Sequence, residues 1–298
     1  MYKTEYLEKE ESNFIKLAHT TNNNYAIIDL HKGASLQELV INNVPIIEDL
    51  SPLKYENTYA SSVLFPFANR IKDGTYVYKG TTYQFKINLK EENNALHGLV
   101  YDKAFKIIEE TASEHAASVT LEYDETDISQ GFPYTYTIIL TYTLTANGID
   151  LSTSVKNTDS NAFPFTLGWH PYFISKNLYE SSLKFDSHQK LILNERMITT
   201  GIEPYDGKKV FKVEDKNLDD CFILNSNTVT FETPGYDLEM TTSSNTTFLQ
   251  VYTPPKANTI AIEPTTGVSD SFNNKIGLQV LEPEHTYTID WKIKCFFN

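Results

Sequence analysis

Four short stretches hold the residues able to do chemistry: Phe65-Pro66-Phe67-Ala68-Asn69-Arg70-Ile71, Asn93-Asn94-Ala95-Leu96-His97-Gly98, the run from Phe163 to Phe173, and Ile260-Ala261-Ile262-Glu263-Pro264-Thr265-Thr266-Gly267. Each interrupts a strand-like alternation and sets polar side chains among apolar or aromatic ones. His170 sits among apolar, Gly and Pro neighbours. Taken alone, such a histidine is more often a satisfied core residue than a reactive one. Pro171 points the other way, because it restricts the backbone at His170 to extended conformations and so fixes the direction of the imidazole. Trp169 and Tyr172 are flat amphipathic residues of the kind that pack against sugar C–H faces while their polar tips stay wet. Glu263 ends an apolar run, and alternation from Ala261 turns it inward; a buried Glu is rare unless paired or functional. Read alone, it is equally a strand-end carboxylate before a Pro turn. Together, a carboxylate and an imidazole make an acid–base pair. Arg70 alone reads as a surface Arg stacked on an aromatic, and His97 alone as a turn residue.

Other chemistries fit the sequence less well. There is no G-x-S-x-G nucleophile elbow, no Walker loop and no G-x-G-x-x-G. The seven histidines show no H-x-x-x-H or H-E-x-x-H spacing, so no metal site is expected. A net charge of −14 argues against nucleic acid, whose binding rests on basic phosphate contacts. Cys221 and Cys295 are too few for a disulfide framework and read as buried apolar residues. The first residues lack the apolar stretch of a signal peptide, and no run approaches ~18 apolar residues. A cytoplasmic setting without membrane contact is the expectation.

The elements that must position these groups read as strands. Phe85, Ile87 and Leu89 alternate with polar residues from Tyr83 onward. Tyr76 and Tyr78 precede a Lys79-Gly80 turn, and Val119, Leu121 and Tyr123 repeat the pattern. Tyr134 to Leu144 alternates mostly with Thr, Asn147-Gly148 supplies a turn of positive φ, and Ile149 to Val155 returns. Further strands are expected near 189–193, 210–213, 227–231, 236–242, 247–252, 259–263, 278–281 and 286–296. No amphipathic helix longer than three turns emerges, and no linker or low-complexity run divides the 298 residues. The expectation is one all-β domain over 1–298, a large antiparallel β-sandwich.

In order, Asn69-Arg70-Ile71, Asn94-x-Leu96-His97-Gly98, Gly168-x-His170-x-Tyr172-Phe173, Leu218-Asp219, Leu249-Gln250-x-Tyr252-Thr253 and Ile262-Glu263 resemble the aldose 1-epimerases, or mutarotases. Each motif alone is weak; six in the family's order are a strong signal. The resemblance implies a galactose mutarotase-type β-sandwich, a small-molecule sugar as partner and no cofactor. It implies Glu263 as general base and His170 as general acid, with Arg70, His97, Asp219 and Gln250 holding the sugar. Three departures mark a divergent branch: Asp219-Asp220 where Asp-His is common, Leu99 where a second Gly follows His-Gly, and the Pro264-Thr265-Thr266-Gly267 sequence after the Glu.

For that chemistry Glu263 is expected ionised and His170 protonated before the ring opens, giving a bell-shaped pH dependence with its acidic limb from Glu263 and its basic limb from His170. Three other readings stay open. A hexose-6-phosphate epimerase needs an Arg or Lys cluster, and Arg196 lies far from any motif. Glycoside hydrolysis needs two catalytic acids, and a non-catalytic carbohydrate-binding relative need not keep both Glu263 and His170.

Overall fold

Alternation becomes ladder over most of the chain. The computed structural model describes residues 1–9, 12–207, 210–244 and 247–297. In Ala117–Glu125 and Tyr136–Leu144, Val119 and Leu121 face Tyr142 and Leu140 across the pair, and all four are buried. On the opposite face Ser118 meets Thr143 at 3.1 Å and Thr120 meets Thr141 at 3.2 Å, hydroxyl pairs suited to a half-wet sheet.

Five strands open the chain as a meander: Tyr2–Lys9, Ser12–His19, Tyr25–Asp29, Ser35–Ile41 and Val44–Ile47. The larger sheet runs in spatial order Lys106–Ala112, Ala117–Glu125, Tyr136–Leu144, Gly148–Asn157, Thr286–Phe296, Asp237–Thr242, Asp219–Glu232, Phe248–Tyr252, Thr259–Thr265, Gly168–Trp169 and Val63–Leu64. These large sheets are antiparallel, as expected of the β-sandwich. Ile15, Leu17, Ile28 and Leu36 of the meander share one core with Leu121, Leu140 and Tyr142 of the larger sheet. The Tyr142 hydroxyl donates to the Ala34 carbonyl at 2.9 Å. The α-helices among the described residues are four residues each, Tyr55–Thr58 and Ser271–Asn274.

Several expectations are corrected. The hairpin at 144–149 forms, with Leu144 opposite Ile149, but neither Asn147 nor Gly148 has positive φ. Gly148 is required by close approach instead: a Cβ there would lie 1.8 Å from the Ile293 carbonyl oxygen of the next strand. The Lys79-Gly80 turn does take positive φ at both residues, joining Thr75–Tyr78 to Thr81–Gln84. Beyond Gln84 the alternation outlasts the ladder: Phe85 leaves the strand to pack against Phe67 and Phe132. The opening meander carries too little pattern to be foreseen. Its outer strand, Tyr2–Lys9, exposes Lys3, Glu5 and Glu8 along the sheet edge, where charge discourages further pairing.

Candidate active site

Register decides which side chains meet. Thr259–Thr265 is flanked by Phe248–Tyr252 on one side and by Tyr172–Ile174 and Gly168 on the other. Gln250 lies opposite Glu263, Cys221 opposite Gln250, Asp219 opposite Tyr252, and Tyr172 opposite Ala261. With a side-chain period of two, Asp219, Gln250, Tyr252, Glu263 and Tyr172 therefore share one face. The intervening Phe222, Leu249, Val251, Ile260 and Ile262 fill the core on the other. This explains why Glu263 is 3% exposed without lying in the hydrophobic core. Two backbone bonds with Ser61 and Ser62 hold His170 beside this face.

Arg70 and His97 arrive on a second, smaller ladder, in which Leu96 pairs with Arg70. His97 donates its amide to the Asn69 carbonyl at 2.9 Å. Both Asn69 and His97 take the left-handed conformation, φ 61° each. For His97 this is a strained backbone of the kind that persists where surroundings over-determine it. Gly98 makes the bend possible: its φ is +78°, and a Cβ would lie 2.1 Å from the Phe65 carbonyl oxygen. Gly98→Ala is expected to destabilise the protein by more than ~2 kcal/mol. A thermal melt should show Tm falling by at least ~4 °C; an unchanged Tm would contradict the packing described. The stretches are tied together through hydroxyls and backbone. Ala68 donates to Thr166 Oγ1 at 3.1 Å, and Leu167 donates to Thr266 Oγ1 at 2.8 Å.

All six residues singled out in the sequence line one cleft of about 320 Å³: Arg70, His97, His170, Asp219, Gln250 and Glu263. His170 Nε2 stands 3.5 Å from Glu263 Oε1. The His170 ring stacks on Tyr172 at 4.8 Å between centroids and meets His97 edge-on at 5.0 Å. One wall is a hydrogen-bonded series. Glu92 takes Arg70 Nε at 2.6 Å and Nη2 at 3.1 Å, and Arg70 Nη1 donates to Asn69 Oδ1 at 3.1 Å. Asn69 Nδ2 then donates to Gln250 Oε1 at 3.4 Å, and Gln250 Nε2 donates to Asp219 Oδ1 at 2.6 Å.

Burial controls the charges. Desolvation raises the Glu263 carboxyl well above its ordinary range; Asp219 adds to the rise and Arg70 opposes it. Desolvation likewise raises Asp219 to about 6, against the pull of Arg70. It pushes His170 down to about 3, and holds His97 well below the usual imidazole value with help from His170 and Arg70. Burial thus works against the expected arrangement, Glu263 ionised and His170 protonated, and favours the neutral form of each group. Both arrangements hold one proton and no net charge. They differ by one transfer within the pair.

Trp169 does not face the cleft as its sequence neighbourhood led us to expect. It is fully buried, stacked on Trp291, and donates to the Ser61 carbonyl at 3.1 Å. Arg196, distant in sequence, bonds the Glu92 and Asn93 carbonyls and thereby clamps the second stretch. The cleft also contains Tyr252, Asn69 and Glu92, to which the sequence assigns no role. Tyr252 was legible, being two residues from Gln250 on the same strand face. Asn69 precedes Arg70 but takes its role from an unforeseen left-handed turn. Glu92, inside Lys90-Glu91-Glu92-Asn93, gave no signal, because such a run reads as a solvated loop.

The aldose 1-epimerase family profile matches residues 15–294. The uncharacterized Escherichia coli K12 protein YihR is 27% identical over 278 residues, covering 89% of this chain and 87% of that protein. The crystal structure of a galactose mutarotase-like protein from Clostridium acetobutylicum shares the fold with a TM-score of 0.87 at 23% identity, covering 100% of this chain and 99% of the other. The galactose 1-epimerase of Lactobacillus acidophilus NCFM does so with a TM-score of 0.80 at 17% identity, covering 99% of each. With a profile match across nearly its whole length and a galactose mutarotase-like β-sandwich, the chain belongs to the aldose 1-epimerase family.

Proposed function

We propose that the protein interconverts the α and β anomers of a free aldose, with Glu263 as general base and His170 as general acid. The observation that carries the reading is the buried pair itself, 3.5 Å apart and open to a cleft walled by hydroxyl-binding groups. In opening, the C1 hydroxyl proton passes to the Glu263 carboxylate, C1 becomes the aldehyde carbon, the C1–O5 bond breaks, and O5 takes a proton from His170. Rotation about C1–C2 presents the other face. Closure runs the same transfers backwards, each residue exchanging its role. From the neutral pair that burial favours, the proton first moves from Glu263 to His170. The Arg70 field, which opposes the rise of the Glu263 carboxyl, favours that shift. Asp219 and Gln250, each oriented by the other, hold hydroxyls so that C1 alone is free to turn.

The pH profile of kcat/KM follows from the proton count. The active pair carries one proton. A second is taken up by His170, pushed down to about 3, and the last is lost by Glu263, raised well above its usual range. The limbs are therefore expected in the opposite assignment from the unperturbed groups, the acidic limb from His170 and the basic limb from Glu263. An acidic limb near ~6.5, the ordinary imidazole value, that persists after Asp219, itself raised to about 6, is replaced by Asn would contradict this assignment.

Polarimetry of freshly dissolved α-D-glucose and α-D-galactose tests the function. Relaxation to the anomeric equilibrium should accelerate in proportion to protein. No acceleration with any aldose in a broad panel would refute the proposal, and reducing sugar released from an aryl glycoside would replace it with hydrolysis.

A further inference from the structure

Resting on the proposed anomer interconversion, we propose that Glu92 is a specificity-determining residue that restricts the cleft to sugars carrying no anionic group, by occupying the guanidinium of Arg70. Among the described residues lining the cleft, Arg70 is the one Lys or Arg, against three carboxylates: Glu92, Asp219 and Glu263. An anion entering the cleft has no other permanent cation to meet.

That cation is already engaged. Glu92 takes it through both carboxylate oxygens, the paired geometry a phosphate or a sugar carboxylate would itself need. A third donor goes to Asn69. Of the five guanidinium N–H groups, two remain. They can bond neutral hydroxyls, but an incoming phosphate finds a guanidinium whose charge is balanced and whose fork is taken.

Glu92 is built to stay there. Its carbonyl accepts from Arg196 Nε at 2.7 Å, and Asn94 Nδ2 donates to its Oε2 at 3.3 Å. Arg196 also grips the Asn93 carbonyl and Asn94 Oδ1. The two arginines thus divide the work, one fixing the loop backbone and the other facing the cleft. Position fits the role as well. The Glu92 side chain is 25% exposed while those of His170 and Glu263 are 5% and 4%, so Glu92 stands toward the mouth. A charged group that reaches the mouth of the cleft therefore meets Glu92.

The test compares kcat/KM for glucose and galactose with that for their 6-phosphates and for glucuronate. In the wild-type protein the anionic sugars should be worse by at least ~100-fold, since like-charge juxtaposition is strongly penalised. Glu92→Gln removes the charge and nearly keeps the shape; it should raise the ratio of anionic to neutral turnover by ~10-fold or more. Glu92→Asp keeps the charge and should hold the wild-type ratio, with circular dichroism confirming that each variant folds. Equal wild-type activity on glucose and glucose 6-phosphate would overturn the inference without any variant. So would a Glu92→Gln protein in which both sugars lose activity in the same proportion, as a purely structural residue would show. Absence of activity on every neutral and anionic aldose fails the proposed function instead, and the inference with it.

Discussion

Glu263→Gln is expected to lower kcat for anomer interconversion by ~10²–10⁴-fold, the range for loss of a positioned general base. Gln has nearly the same shape, so KM should move far less than kcat. The same change should alter stability with a definite sign. The folded protein holds the Glu263 carboxyl protonated to a higher pH than the unfolded chain does. Above ~4.5 the folded state therefore binds more protons at this site, and stability is lost as pH rises through the raised value. An amide has nothing to lose. The Tm advantage of Glu263→Gln over wild type should grow from mildly acidic toward alkaline pH. Initial rates and melts on one preparation separate the outcomes: an active variant removes Glu263 from the chemistry, while a Tm difference independent of pH removes the buried-carboxyl argument.

His170→Asn is expected to cost a comparable ~10²–10⁴-fold in kcat. The amide occupies part of the imidazole site but cannot carry the proton that O5 requires. The two losses should not multiply, because each group depends on the other to pass the proton. The double variant should be nearly as active as the worse single variant. Acid stability gives an independent readout. His170 is held neutral in the fold down to about 3, whereas the unfolded chain takes up the proton at the ordinary imidazole value of ~6.5. Stability is thus lost as pH falls below ~6.5 toward the folded value, and His170→Asn should remove part of that loss. Multiplicative rate effects in the double variant would mean that the two residues act in separate steps.

The pair was legible in the sequence for different reasons at its two members. Glu263 was placed by alternation from Ala261, and the ladder with Phe248–Tyr252 carries that placement to Gln250 directly opposite. His170 was fixed less by periodicity than by Pro171 and by its company in the family's motif order. The sandwich followed from Tyr136–Leu144 and its neighbours, where burial alternates residue by residue. What escaped was governed by contacts distant in sequence. Tyr2–Lys9 is an edge strand whose charges conceal its period. Gly148 is dictated by the Ile293 carbonyl on a strand nearly 150 residues away. Glu92 became visible only when the loop holding it closed on Arg70. The direction in which burial pushes the two groups was also hidden, because it follows from the desolvation of a site whose depth only the assembled sheet creates.

In the proposed reaction His170 and Glu263 together open and reclose a sugar ring at C1. Two-dimensional exchange NMR on galactose at anomeric equilibrium tests it most directly, since it reads the exchange itself without a coupled assay. Wild-type protein should produce cross-peaks between the α and β anomeric protons that grow with protein concentration, and the Glu263→Gln/His170→Asn double variant should return the spectrum to that of sugar alone. Cross-peaks of equal strength with the double variant, or none with wild type for any aldose tried, would contradict the claim.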